Sequence, residues 1–278
     1  MALKFSRSIS FPLTPARSFS KPRHVRSVPG TTSSHPLPAD LHAHIAALRS
    51  WIQQGPSSSL PAGLAAIQAL HSSLGELFLL PESEAALRCP TSNAADLLLD
   101  AFLLLADAHQ GFQECLLSLR HASTESRTAL HRGDTGRFAS AARSQGRGEK
   151  ELACLAASVS AIFSKSARLN LMAVSGEEAE MAYALVEAAA ASAMASAALF
   201  STTTSMSSAA LSSKNTTMFI PAFPRRAANT PEMADAIVER LHTLAQCLAE
   251  CDGVCDMMFR SVVQTRVSLL NIMTPTIY

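Results

Sequence analysis

Apolar or cysteine side chains recur at alternating intervals of four and three through the last forty residues: Ile237, Leu241, Leu244, Leu248, Cys251, Cys255, Met258, Val262, then Leu269 and Ile272. Thr265 is the one interruption. Sustained over about five heptads, this a/d seam predicts one long helix that buries a narrow stripe against other helices. Thr230, Pro231 and Glu232 supply its start signal, with a cap, a proline at the first helical position and a carboxylate at the positive end of the dipole.

The same reading extends backwards along the chain. Asp40 caps a first helix through Leu41, Ile45, Leu48 and Ile52, which Gly55 to Pro61 ends. A second helix runs from Leu64 through Ile67, Leu70, Leu74 and Leu77, and Pro81 opens a short third segment that Cys89 and Pro90 close. From Ala94 to Leu119 the pattern is helical in length and broadly hydrophobic, which predicts a central helix. Between Arg120 and Lys150 seven basic residues face three acidic ones, and Gly133, Gly136, Gly146 and Gly148 punctuate the run. An interrupted helical hairpin or a basic linker is expected there. Periodicity returns from Leu152 to Met172.

Met181 to Phe200 is mostly alanine, with Glu187 its one charge. Its length would span a bilayer, but alanine is weakly apolar and a central glutamate is costly in lipid, so a buried core helix is the better reading. The expected fold class is all-α: an elongated multi-helix bundle with a long heptad-patterned C-terminal helix and a disordered N-terminal tail. Its divisions are a basic Ser-rich tail at 1–39, a helical bundle at 40–200, a Ser/Thr/Pro-containing linker at 201–229 and the C-terminal helix at 230–278, packing on the bundle.

Candidate chemistry changes this picture little. On the Ala94 helix, Asp96, Asp100, Asp107 and Glu114 fall within about 40° of one another around the axis, forming a carboxylate stripe. Helical bundles build di-metal sites from inward carboxylates with Glu-x-x-His partners, and neither His109 nor His121 stands three residues after a glutamate. A solvated polar face is therefore expected, or one that meets basic residues of a partner. Inward carboxylates with His109 alongside would instead favour an enzyme. Cys247, Cys251 and Cys255 recur every four residues, but two of them lie on the apolar seam and read as core rather than as metal ligands. His121 and His131 read as solvated surface.

With 23 basic and 22 acidic residues the formal charge is +1, and no aromatic interleaving supports base stacking, so nucleic acid is not an expected partner. The first 39 residues hold no acid and carry Lys4, Arg7, Arg17, Lys21, Arg23 and Arg26. That composition fits a phosphorylatable tail, an arm for an anionic membrane surface, or an organelle transit peptide. Arg7, Ser8 and Ser10, Arg17, Ser18 and Ser20, and Arg26 with Ser27 are its candidate interaction or phosphorylation residues.

The segment from Met258 to Ile272, MFRSVVQTRVSLLNI, resembles the closing signature of a plant-specific family, domain of unknown function 241, related to the BYPASS proteins. His24 to Pro29 with Ser34 to Leu37 resembles its opening motif, and Asp100 to Asp107 and Ala129 to Gly133 resemble its middle-helix and following-turn patterns. Two departures stand out: Ala141 to Gln145 replaces a usual lysine run, and Pro29 to Thr32 replaces a more basic spacing. The resemblance implies a helical, non-enzymatic plant protein associated with root and shoot development, with no catalytic residue and no cofactor.

The expectation is thus a protein-interaction or signalling component whose partners are proteins. Weak contact with an anionic membrane surface and self-association through the heptad helix are alternatives, and a carboxylate-based metal enzyme is the rival of another class. The cytoplasm is the expected compartment; a plastid or mitochondrion follows if residues 1–23 are an address, and a membrane rim if the basic tail holds the protein there.

Overall fold

A computed structural model of the chain describes residues 36–55, 59–90, 92–166, 176–212 and 231–274. Among these residues the chain forms seven helices and no strand: α1 Pro36–Gln54, α2 Leu60–Leu77, α3 Pro81–Arg88, α4 Ala94–His131, α5 Thr135–Ser166, α6 Glu177–Leu211 and α7 Pro231–Met273. The fold is an all-α bundle, as the periodicity predicts.

Local chemistry accounts for the boundaries. Gly55, at φ +66°, follows the last residue of α1. Ser59 caps α2 by accepting the Ala62 N–H, with Pro61 in the first turn. Two arginines close helix ends from a distance: Arg88 donates to the Ile272 carbonyl at 2.7 and 2.9 Å, and Arg240 donates to the Ala210 and Ser212 carbonyls at 3.3 and 3.0 Å. Both place a cation against the unsatisfied carbonyls at the negative end of a helix, α7 in the first case and α6 in the second.

The α7 seam is buried at every predicted position from Ile237 to Leu269, and Ile272 packs partly buried behind it. Its coverage comes from within the chain, chiefly from α4 and α2. Each fully buried leucine removes about 1.5–3 kcal/mol of apolar surface cost from the folded state, so this seam is a principal source of cohesion.

At the centre lies α6, which touches each of the other six described helices. Its alanines explain how: Ala182, Ala188, Ala189, Ala191, Ala193 and Ala195 are all buried, and side chains this small let neighbouring backbones approach from all sides. By length and composition α6 could cross a bilayer, yet 72% of its apolar window is buried inside the protein. Glu187 is answered by Arg49 of α1 at 2.7 Å.

Two boundaries depart from expectation, and a third region resolves a choice that the sequence left open. First, α1 begins at Pro36 rather than Asp40. Second, α6 continues to Leu211, so the first eleven residues assigned to the 201–229 linker are helix. There Thr203, Thr204 and Ser205 donate to the carbonyls of Leu199, Phe200 and Ser201, one turn back, so the hydroxyls are satisfied without leaving the helix. Third, of the two arrangements expected for Arg120 to Lys150, the hairpin is present and the linker is not. The hairpin of α4 and α5 is tight, and its break is confined to Arg132, Gly133 and Asp134. Gly146 and Gly148 lie inside α5, and a Cβ at Gly148 would stand 3.1 Å from Leu119 of α4. Gly111 meets Leu155 in the same way at 3.2 Å. Gly111 and Gly148 thus serve close packing of the two helices rather than a break in the chain.

Candidate interaction surface

The predicted carboxylate stripe lies on the solvent side of α4. Asp96, Asp100, Asp107 and Glu114 are all exposed, and none forms an ion pair or hydrogen bond among the described residues. The structure adds what the acids alone do not show. Leu103 and Leu117 fall in the same 4–3 series and are 44% and 58% exposed, so the stripe reads Asp96, Asp100, Leu103, Asp107, Gln110, Glu114, Leu117. The opposite face of α4 packs on α5 and α7 and buries Phe102, Leu105, Phe112, Leu116 and Leu119. α4 therefore carries two heptad stripes. One is spent on the core and the other, acidic with two leucines, faces water.

The arrangement that would have favoured an enzyme does not occur at this stripe. His109 points away from the carboxylates into the core, where its Nε2 meets Ser196 Oγ at 2.8 Å. Among the described residues no group of three or more His, Cys, Asp or Glu stands close enough to hold a metal ion. His121 and His131 are exposed, as expected.

Beneath the stripe runs a polar network that joins four helices. His71 of α2 meets Ser192 of α6 through Nε2 at 2.9 Å and Thr265 of α7 through Nδ1 at 3.2 Å. Thr265 donates to the Ser261 carbonyl at 2.8 Å, so its oxygen accepts from His71 Nδ1–H, and His71 Nε2 accepts from Ser192. Ser196 donates to the Ser192 carbonyl at 2.9 Å, so His109 donates through Nε2–H and carries a bare Nδ1 that meets no partner. Around them the rings are aromatic: His109 is edge-on to Phe200 at 5.2 Å, and His71 to Phe102 at 5.6 Å. Burial lowers both imidazoles from about 6.5 to about 3, and the His71 ring adds to the effect on His109. Both are neutral at physiological pH. The single gap in the α7 seam, Thr265, is thus the place where α7 joins this network.

Two of the three α7 cysteines behave as core. Cys251 and Cys255 are buried on the seam, and Cys251 donates to the Cys247 carbonyl at 3.3 Å. Burial, with the Asp252 carboxylate nearby, pushes the Cys255 thiol up to about 12. The candidate tail residues Arg7, Ser8, Ser10, Arg17, Ser18, Ser20, Arg26 and Ser27 lie outside the described residues.

The family model described as Protein BPS1 matches residues 63–272, from the first turn of α2 to the end of the α7 seam. The chain belongs to the Protein BPS1 family, the BYPASS-related plant family that the closing motif points to. The BPS1 match takes in the middle-helix pattern, the α4–α5 turn and the closing motif, whereas α1 and the opening motif at His24 to Leu37 precede it. The search of curated proteins and the search of solved structures each find no match. Within the BPS1 region the α4 stripe and the buried network are both complete.

Proposed function

We propose that this BPS1-family chain is a non-enzymatic protein-interaction component acting in root and shoot development, and that the outer face of α4 is its docking surface. The observation that carries the reading is the second heptad stripe of α4: four unpaired carboxylates interleaved with two exposed leucines. A stripe of this kind fits a partner helix that presents basic and apolar side chains at the same spacing. Leucines would supply the buried centre of such a contact, and the carboxylates its orientation and rate of encounter. The buried histidine–hydroxyl network is not a rival site, because His71 and His109 are about 1% exposed and their bonded nitrogens meet hydroxyls of α6 and α7 inside the core.

Proximity labelling in root and shoot tissue tests this. The protein carrying Leu103→Ser with Leu117→Ser, and separately Asp100→Lys with Asp107→Lys, should lose a shared set of neighbours that the unaltered protein labels. An identical set of neighbours for all three proteins refutes the docking surface. A second reading, attachment to a membrane or import into an organelle, is favoured by the acid-free, six-cation composition of the first 39 residues. It predicts that deletion of residues 1–23 moves a C-terminally tagged protein to the cytosol.

A further inference from the structure

The α4–α5 turn builds a second polar feature, at the far end of α4 from most of the acidic stripe. Gly133, at φ +68°, lets Asp134 N–H return to the Ala129 carbonyl at 2.9 Å and close α4. Asp134 then caps α5 by accepting the Arg137 backbone N–H at 2.9 Å. This compact turn brings Arg132, from the end of α4, and Arg137, from the start of α5, to one open groove of about 290 Å3. His121, Glu125 and Ser140 line it as well, together with Thr124 and Thr128.

The charges in the groove are unbalanced. Two guanidiniums face one carboxylate, and Glu125 is itself shared with His121 at 3.9 Å. Neither Arg132 nor Arg137 has a side-chain acceptor among the described residues. Five arginines elsewhere in the fold are engaged: Arg49 meets Glu187, Arg120 meets Asp252, Arg260 meets Asp256, and Arg88 and Arg240 meet helix carbonyls. Thr124 and Thr128 turn their hydroxyl protons to α4 carbonyls at 2.9 Å, which leaves Ser140 as the hydroxyl free to donate. Two unpaired planar forks with a free hydroxyl between helices match a tetrahedral oxyanion that can accept several charge-assisted hydrogen bonds at once.

We propose that this groove is a binding site for a phosphate group, held by Arg132 and Arg137 with Ser140 as a third donor. The site does not depend on partner docking at the α4 stripe. A phosphorylated small molecule and a phospholipid headgroup offer the same group, and the test separates them.

The full chain would be titrated with inorganic phosphate against chloride at matched ionic strength, following backbone amide shifts, and in a second arm mixed with phosphatidylcholine vesicles carrying a phosphoinositide monophosphate. Saturable shifts centred on residues 132–140 are expected. Arg132→Gln with Arg137→Gln should weaken binding by about tenfold or more, the loss of a bidentate charge-assisted contact. Arg143→Gln with Arg147→Gln, exposed cations outside the groove, should change it less than about twofold. Binding of phosphate alone identifies a soluble ligand; vesicle binding that phosphate displaces identifies a headgroup. Equal weakening by both double variants means diffuse attraction and overturns the site, as does the absence of saturation in both arms. An unchanged far-ultraviolet circular dichroism spectrum for each variant ensures that loss of binding is not loss of fold.

Discussion

Acid should unfold this protein through two residues, His71 and His109. Each titrates near 6.5 when the chain is unfolded and is held down to about 3 by burial in the fold. Between those values the unfolded chain binds protons that the folded chain refuses. The stability they contribute is therefore complete above about pH 6.5 and is lost progressively as the pH falls toward about 3. The loss at pH 5 depends on the unfolded value alone, provided the folded value lies well below 5. For one imidazole it is RT ln(1 + 10^1.5), about 2 kcal/mol, and for two about 4 kcal/mol. For a domain stable by roughly 5–15 kcal/mol this is a large share.

Urea unfolding followed by circular dichroism, repeated between about pH 7.5 and pH 5, measures it. The unaltered protein should lose about 4 kcal/mol across that range, with a slope near 2.7 kcal/mol per pH unit once both unfolded imidazoles are charged. His109→Gln keeps a donor where Nε2 meets Ser196 and should remove about 2 kcal/mol of the pH-dependent loss, whatever it does to stability at pH 7.5. His71→Asn keeps a donor where Nδ1 meets Thr265 and should remove a similar amount. A loss in the unaltered protein below about 1 kcal/mol, or the same loss in all variants, would refute the reasoning.

Three further outcomes follow from named contacts. Gly63→Ala sets a Cβ against the Trp51 ring, whose Nε1–H donates to the Ser59 carbonyl; a cost of about 1–3 kcal/mol and a shift in the emission of this sole tryptophan are expected. Thr265→Val keeps the shape of the seam but leaves the His71 Nδ1–H without an acceptor, and should cost about 1–3 kcal/mol by urea unfolding, whereas a gain in stability would show that the network contributes nothing there. In the native protein iodoacetamide should modify the exposed Cys154 well before the buried Cys251 and Cys255, and mass mapping of the alkylated peptides checks the order.

Sequence periodicity reached furthest where one physical pressure acts alone. The α7 seam is legible residue by residue because a helix buried along one stripe must keep its apolar side chains in step with its turns. The outward position of Asp96, Asp100, Asp107 and Glu114 is legible for the same reason. Boundaries were harder where two pressures compete. Glycines in α5 read as breaks by intrinsic preference, and tertiary packing reverses that reading because Gly148 sits against Leu119. The Ser/Thr run after Phe200 reads as a loop by composition, and hydroxyl bonds to carbonyls one turn back keep it helical. The network shows its edge in the sequence, at Thr265, but not its other members. Thr265 and His71 are separated by 194 positions, and no local pattern ties them together.

The polar network also explains how an alanine helix holds its place. A surface of alanines is nearly smooth, so apolar contact alone would tolerate α6 slipping past its neighbours by one turn. Ser192 and Ser196 are four residues apart, and each answers a different histidine. Were α6 to slip so that Ser196 met His71, His109 would face the position of Phe200. Were it to slip the other way, Ser192 would meet His109 and His71 would face Ala188. Each slip leaves one buried imidazole without its hydroxyl, at about 1–3 kcal/mol for the stranded group. A polar contact in an apolar core can fix register in this way. The same register presents the second stripe of α4 to water and Arg132 and Arg137 to their shared groove, because α4 is held against α6 through His109 and against α7 through the seam. What the core spends on neutral histidines it recovers as a single arrangement of its surface.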